Sequence, residues 1–365
     1  MTVIVAAAAF LWWALVFAPW RPWRTDCAID AARASLDDAL TEVTALVPAR
    51  NEAPVLQSCI AALRAQGPGL RVVVVDDESS DGTSDIAAAA GARVIRGRPV
   101  PHGWSGKVWA LEQGRAAVET QYLLLVDADV VLEPRTVATL LRKIRTERLA
   151  LVSIYPAPRF ESFWEKLLMP AFVYFFELLY PFQLSNSPRS RIAAASGGCI
   201  LLERGAIAAI GGFAPISDAL IDDCTLAARI KAAGYRTWIG LTHSARGLRS
   251  YERLAAVSAM VERTAYTQLE YSLVWLLVCT ALMILAFCVP VVGLFHPELR
   301  VQVLAVSALV AMAISYVPTL RFYARSPLWV LCMPLIGIIY LGMTWRSALR
   351  FYQRERARWK GRVYS

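Results

Sequence analysis

From about Ser272 to Leu349 the chain is nearly continuous apolar sequence, and no other feature restricts its fold as strongly. A bilayer core requires about 20 apolar residues per crossing helix. The stretch has room for three such segments, at about 273–295, 301–320 and 327–345. Polar breaks at His296-Pro297-Glu298 and Arg321-Phe322-Tyr323-Ala324-Arg325 divide them. The other end is similar: MTVIVAAAAFLWWALVFAPW is apolar apart from Thr2. No basic stretch precedes that run, and Trp-Arg-Pro-Trp follows it in place of small residues. It therefore reads as an uncleaved anchor over 1–24, not a cleaved signal peptide. Trp20 and Trp23 beside Arg21 and Arg24 suit the cytoplasmic interface.

The tail RSALRFYQRERARWKGRVYS carries seven Arg or Lys against one Glu. An anchor with its start outside, a cytoplasmic middle and three full crossings would leave that tail outside, against the positive-inside rule. One C-terminal segment is therefore expected to be re-entrant or to lie in the interface, with the tail over 350–365 cytoplasmic. The net charge of +9 sits largely in the tail and the flanks of apolar segments. Anionic lipid headgroups explain it better than nucleic acid does. Seven cysteines without CxxC spacing read as reduced, buried residues, not a zinc site or a disulfide frame.

Between the apolar ends, residues 42–270 have ordinary globular composition. Apolar runs alternate with helical stretches: TALVPA (44–49), a helix at about 54–66, RVVVV (71–75), a helix at about 83–90, and ARVI (92–95). A helix at about 106–119, YLLLV (122–126) and a helix at about 134–146 follow. Val and Leu runs without alternation mark strands covered on both faces, hence an α/β fold with a mainly parallel sheet. Residues 160–184, with Glu165, Lys166, Glu177 and Pro170 inside an aromatic run, read as an interfacial helix.

Ligands of such sheets bind beyond the strands' carboxyl ends, and acids gather there. Asp127 and Asp129 follow YLLLV, and Asp76 and Asp77 follow VVVV. Two like charges one residue apart are costly to bury. A divalent cation would compensate them, and carboxylate oxygens suit Mg²⁺ or Mn²⁺ shared with a diphosphate. A surface turn is the plain alternative. Asp76 or Asp77 could accept a hydrogen bond from a base or ribose, while Ser79, Ser80, Asp81 and Gly82 are ordinary turn chemistry. SGGCILLERGAIAAIGGF (196–213) offers small residues for close backbone approach. Asp222 and Asp223 open a helix, where the dipole favours acids, and one of them could serve as a general base.

Together these stretches resemble the family 2 glycosyltransferases, inverting enzymes of the GT-A fold that use nucleotide-diphospho-sugars. VPARNE (47–52) is similar to the first-strand motif and VDDESSDGT to VDDxSxDxT. GKVWALEQG (106–114) is similar to GKxxALNxG, with Glu112 where Asn is usual. The resemblance implies nucleotide-sugar binding by Pro48, Arg50, Glu52, Asp76, Asp77, Lys107 and Asp127. It also implies a metal on Asp127 and Asp129, and Asp223, paired with Asp222, as the base. His243, Arg249 and Arg263 are candidate diphosphate or acceptor contacts. The QxxRW motif of processive relatives is reduced to Arg263 in Met260-Val261-Glu262-Arg263-Thr264. Residues 248–272 look most like ceramide-glucosyltransferase-type and hopanoid-associated members, which implies a membrane lipid acceptor. The expectation is a multi-pass bacterial inner-membrane enzyme with its catalytic domain facing the cytoplasm. Its rivals are a processive polysaccharide synthase and a non-catalytic nucleotide-sugar-binding protein.

Overall fold

The computed structural model describes residues 1–31, 39–353, 357–359 and 362–364. In chain order the elements are α1 (Thr2–Phe17), β1 (Val43–Ala49), α2 (Ala53–Arg64), β2 (Arg71–Asp76), α3 (Thr83–Ala89), β3 (Arg93–Arg96) and α4 (Gly106–Arg115). Next come β4 (Tyr122–Val126), β5 (Val130–Leu132), α5 (Thr136–Thr146), β6 (Leu151–Ala157), α6 (Phe163–Leu179) and α7 (Phe182–Asn186). They are followed by β7 (Cys199–Glu203), α8 (Arg204–Ala209), α9 (Asp222–Ala232), β8 (Thr237–Gly247) and α10 (Leu254–Glu262). The chain closes with α11 (Leu273–Met283), α12 (Val289–Gly293), α13 (Leu299–Phe322), α14 (Met333–Tyr352) and a short hairpin of β9 (Ala357–Trp359) and β10 (Arg362–Tyr364).

The chain folds as two compact units. One comprises 27–159 and 184–250, the other 1–26, 160–183 and 251–365. Residues 160–183 and 251–270 thus group with the apolar ends and not with the sheet, because their aromatic and aliphatic side chains pack into the apolar unit's own core.

In the first unit an eight-stranded sheet runs β3-β2-β1-β4-β7-β6-β8-β5. Strands β3, β2, β1 and β4 are parallel, as the uninterrupted Val and Leu runs predict. Both faces are covered. Val72, Val74, Leu124 and Val126 pack with Leu56, Ile60, Leu140 and Ile144 of α2 and α5. Val73, Val75, Leu123 and Leu125 pack with Val108 and Leu111 of α4, Ile207 of α8 and Leu226 and Ile230 of α9. Each buried Val or Leu contributes about 1.5–3 kcal/mol relative to exposure. The register pairs Ala49 with Asp76 and Val126 with Cys199, so the ends of β1, β2 and β4 and the start of antiparallel β7 meet at one edge. α4 stops at Arg115 rather than near 119: Ala117 and Val118 bond three residues back, a tightening last turn.

Among the described residues, the second unit contains three helical stretches long and apolar enough to cross a membrane: Leu273–Gly293, Leu299–Phe322 and Pro327–Tyr352. α1 is shorter. Val5 packs on Val301 and Ala305, and the indoles of Trp12 and Trp13 donate to Ala286 O (2.9 Å) and Ser307 Oγ (2.8 Å). α6 opens on a capping box of Ser162 and Glu165, and both its acids, Glu165 and Glu177, are buried. At the end of α14, Arg346 (3.2 Å) and Arg350 (2.9 Å) close on the buried Glu262 of α10. None of the seven cysteines forms a disulfide; Cys59, Cys199 and Cys224 are buried and the other four only partly so.

Candidate active site

At the end of β1, Pro48 lines a cleft, and Arg50 donates through Nη1 to the carbonyl oxygens of Asp77 and Glu78 (3.2 Å to the latter). That guanidinium joins the ends of β1 and β2. Asp77 is buried, and its N–H donates to Ala49 O at 2.8 Å. Asp76 is occupied in the turn: its carboxylate accepts from Ser79 N (3.2 Å) and from the Ser84 hydroxyl. Asn51 sits at φ 50, a left-handed position that Asn tolerates, and accepts from Ser80 N at 2.9 Å. Much of VDDESSDGT therefore shapes a loop.

Lys107 enters from the first turn of α4, behind the Ser105 cap. Its Nζ lies 2.9 Å from Asp127 Oδ1 and 3.5 Å from Asp222 Oδ2. Asp223, one residue on, accepts from Gly197 N (2.7 Å) through Oδ2 and from Cys224 N (2.8 Å) through Oδ1. Gly197 is small for a reason: a Cβ there would lie 2.8 Å from Lys107 Nζ and 3.4 Å from Asp223 Oδ2. Gly197 thus lets the backbone just before β7 reach the acids, while a Cβ at Gly198 would instead lie 2.5 Å from Pro156 Cγ. Leu111, Phe213, Ile216 and Leu226 back the same cleft with apolar surface.

Charge is unevenly matched here. Burial raises the Asp223 pKa to about 6, with Asp222 adding to the rise and Lys107 and two backbone N–H groups opposing it. Burial also raises Asp127, opposed by Lys107 and reinforced by Asp129. Burial works against the Lys107 ammonium, but Asp127, Asp222 and Asp223 outweigh it and hold that group protonated far above its ordinary range. Each Asp223 oxygen has lone-pair capacity left after its backbone bond, so it can accept a proton.

Asp129 faces a second cation. Arg249 Nε lies 2.6 Å from Asp129 Oδ2, and Arg249 Nη2 lies 2.9 Å from Glu52 Oε1. Among the described residues no three His, Cys, Asp or Glu side chains gather as a metal cage. Two carboxylates short of positive charge are still a fitting donor set for a hard divalent cation, which takes its other ligands from phosphate oxygens and water.

The structure thus brings Pro48, Arg50, Glu52, Asp77, Lys107, Asp127, Asp129, Asp222, Asp223 and Arg249 to one edge of the sheet. It sets others apart. His243 is exposed on β8, its Nδ1 3.0 Å from Asp30 Oδ2. Arg263 is exposed after α10, in the apolar unit. Sequence reasoning missed the Gly197 N–H and the use made of Glu112. Glu112 Oε2 accepts from Phe213 N and from Arg115 Nε, each at 2.9 Å, which clamps the turn that lines the cleft. Its acidic departure from Asn, with Arg115 three residues on, was the available signal.

Residues 44–211 match the family model described as glycosyl transferase family 2. A 4,4'-diaponeurosporenoate glycosyltransferase of Staphylococcus haemolyticus is 32% identical over 118 residues, covering 31% of this chain and 32% of that protein. The Staphylococcus aureus protein of the same name is 31% identical over 126 residues, 34% of each chain. This chain spans about a third of the length of these curated relatives. Among solved structures, the mannosyltransferase PcManGT from Pyrobaculum calidifontis, in complex with GDP-Man and Mn²⁺, shares the fold. The match has a TM-score of 0.54 at 18% identity and covers 94% of this chain and 99% of that one.

Proposed function

We propose that this chain, which carries a glycosyl transferase family 2 domain on a GT-A fold, is a membrane-bound inverting glycosyltransferase. It moves a sugar from a nucleoside-diphospho-sugar, UDP-linked in our reading, to a lipid hydroxyl. The observation that carries this reading is the cluster of Lys107, Asp127, Asp222 and Asp223 around the Gly197 N–H, within 3.5 Å contacts at the carboxyl edge of the sheet.

Asp223 takes the proton of the acceptor hydroxyl, whose oxygen then bonds to the anomeric carbon as the bond to the diphosphate breaks. The leaving nucleoside diphosphate keeps the electron pair, and the configuration inverts. Gly197 N and Cys224 N hold the Asp223 carboxylate in place while its raised pKa keeps it basic enough to accept that proton. Lys107 keeps Asp127 and Asp222 from repelling each other apart. Mg²⁺ or Mn²⁺ held by Asp127 and Asp129 would neutralise charge on the leaving diphosphate. Arg50 and Asp77 shape the wall on which the nucleotide rests, with Glu52 beside it.

Three apolar helical stretches support a lipid acceptor, which stays in the bilayer while the donor arrives from water. The relatives are named for diaponeurosporenoate, neither a ceramide nor a hopanoid. A polycyclic or ceramide-like lipid is our finer reading, supported by the resemblance at residues 248–272. For topology we place the catalytic unit and the basic tail in the cytoplasm of a bacterial inner membrane, with α14 along the interface. Trp329, just before α14, packs on Phe163 at 6.0 Å, while Arg346 and Arg350 at its far end bind Glu262.

Purified full chain with labelled UDP- and GDP-sugars, Mg²⁺ or Mn²⁺ and bacterial lipid extract should yield a labelled lipid of one sugar. Release of free sugar alone, a polymer, or no transfer with any donor would overturn the reading.

A further inference from the structure

Arg249 holds two carboxylates that a bound donor would need. Its Nε lies 2.6 Å from Asp129 Oδ2 and its Nη2 2.9 Å from Glu52 Oε1, so one guanidinium ties the metal-side acid to the nucleotide-side acid. The backbone reinforces the clamp. Leu248 N donates to Asp129 O at 2.6 Å, and Arg159 Nη1 donates to Leu248 O at 3.1 Å, so the segment after β8 is docked on the turn between β4 and β5. Asp127, by contrast, is held by Lys107, which it shares with Asp222. The two acids of the pair thus draw on different cations, each shared with another acid.

We propose that Arg249 is a latch: a side-chain cation that closes the donor site and that metal and nucleotide must jointly displace. This rests on the reading of Asp127 and Asp129 as the metal site. A divalent cation and the guanidinium compete for the same Asp129 oxygen, so cation affinity without nucleotide is reduced by the fraction of protein in the closed state. A diphosphate offers the released guanidinium new anionic oxygens with the fork geometry that suits it. Metal and nucleotide therefore bind cooperatively, each helping to open the latch, and by linkage the coupling is reciprocal. The device keeps free metal from occupying the site unproductively, and it leaves Arg249 beside the leaving group once opened.

The experiment is a titration of detergent-solubilised full chain with Mn²⁺ alone, with and without UDP, read as free Mn²⁺ by electron paramagnetic resonance. Wild type should bind Mn²⁺ weakly alone and more tightly with UDP. Arg249→Gln should bind Mn²⁺ alone about threefold more tightly or better, with a smaller UDP-dependent gain. Arg246→Gln removes the same charge from an exposed neighbour on β8 and should change neither value. Equal or weaker Mn²⁺ binding by Arg249→Gln, or the same tightening in Arg246→Gln, overturns the latch. If Arg249→Gln does not fold, Arg249→Lys, which keeps the charge but cannot bridge both acids, should show the same tightening. Asp129→Asn separates the two readings. If it leaves Mn²⁺ binding intact, the metal site itself is misassigned; if it abolishes binding while Arg249→Gln changes nothing, only the latch fails.

Discussion

Each unit buries carboxylates, and the two treat them in opposite ways. In the apolar unit Glu165 accepts from the backbone N–H groups of Glu161 and Ser162 (2.9 Å each) and of Tyr251 (2.7 Å). Glu262 has Arg346 and Arg350 beside it and a bond from Ser258. Neighbours match the charge of these two acids, Glu262 Oε2 through its ion pair with Arg350 alone, and the contacts hold α6, α10 and α14 together. In the sheet unit Asp127, Asp222 and Asp223 share Lys107, and Arg249 divides itself between Asp129 and Glu52. Acids there outnumber the cations that touch them. Satisfied acids build structure, whereas a surplus of negative charge at a cleft is a standing demand for an external cation or proton.

The sharpest way to break that contrast is to remove the proposed base. Asp223→Asn should lower transfer by about 10²–10⁴-fold and leave UDP binding and thermal stability close to wild type, measured by labelled-lipid yield, UDP titration and melting. Retained turnover would move Asp223 to the structural side. Glu262→Ala should do the reverse. It removes the partner of Arg346 and Arg350, and because both arginines are substantially exposed the loss is about 1–3 kcal/mol. A fall in melting temperature should appear with Mn²⁺ affinity unchanged.

Acidity separates the two regions more finely. Burial and Asp222 put the Asp223 pKa at about 6 in the folded protein, so its basic form is lost as pH falls through 6 rather than through 4. A profile of kcat/KM against pH should lose activity on that acidic limb. Asp222→Asn, which removes the like charge, should shift the limb to lower pH. The smallest effect is expected at Glu177, a buried acid of α6 whose Oε2 has no hydrogen-bond partner. Burial, with Asp26 nearby, raises its pKa well above 4.5 and favours the neutral form. Glu177→Gln should change stability by less than about 0.5 kcal/mol near neutral pH. A large loss would show that this carboxyl is ionised after all.

Much of the site was legible because its signals are local. A Val or Leu run followed by acids says where a strand ends, and a parallel sheet forces those ends to one edge, so Asp77, Asp127 and Pro48 could be placed from spacing. The antiparallel strands β7 and β5 were not read. β7 hides in SGGCILLERGAIAAIGGF, whose small residues suggest close approach without saying to what, and β5 is only Val130–Leu132. His243 looked equivalent to Arg249 in sequence, six residues apart on one strand and its following turn. Alternation would put residues six apart on one face of a continuing strand, but β8 ends at Gly247, so Arg249 lies past it while His243 points to Asp30.

The order of hydrophobic runs determined by itself that this chain has a sheet covered on both faces and helices fit for a membrane, because burial is a sum over local apolar residues. It also determined which acids fall at strand ends. Only the tertiary structure decided how those acids are neutralised. Lys107 lies 20 residues from Asp127 in sequence and Arg249 lies 120 from Asp129, yet they meet at 2.9 and 2.6 Å. Electrostatic energy depends on distance in space and on exposure to water, and neither can be read along a chain. The division of 160–183 and 251–270 from the sheet unit was likewise a matter of which core their aromatic side chains entered.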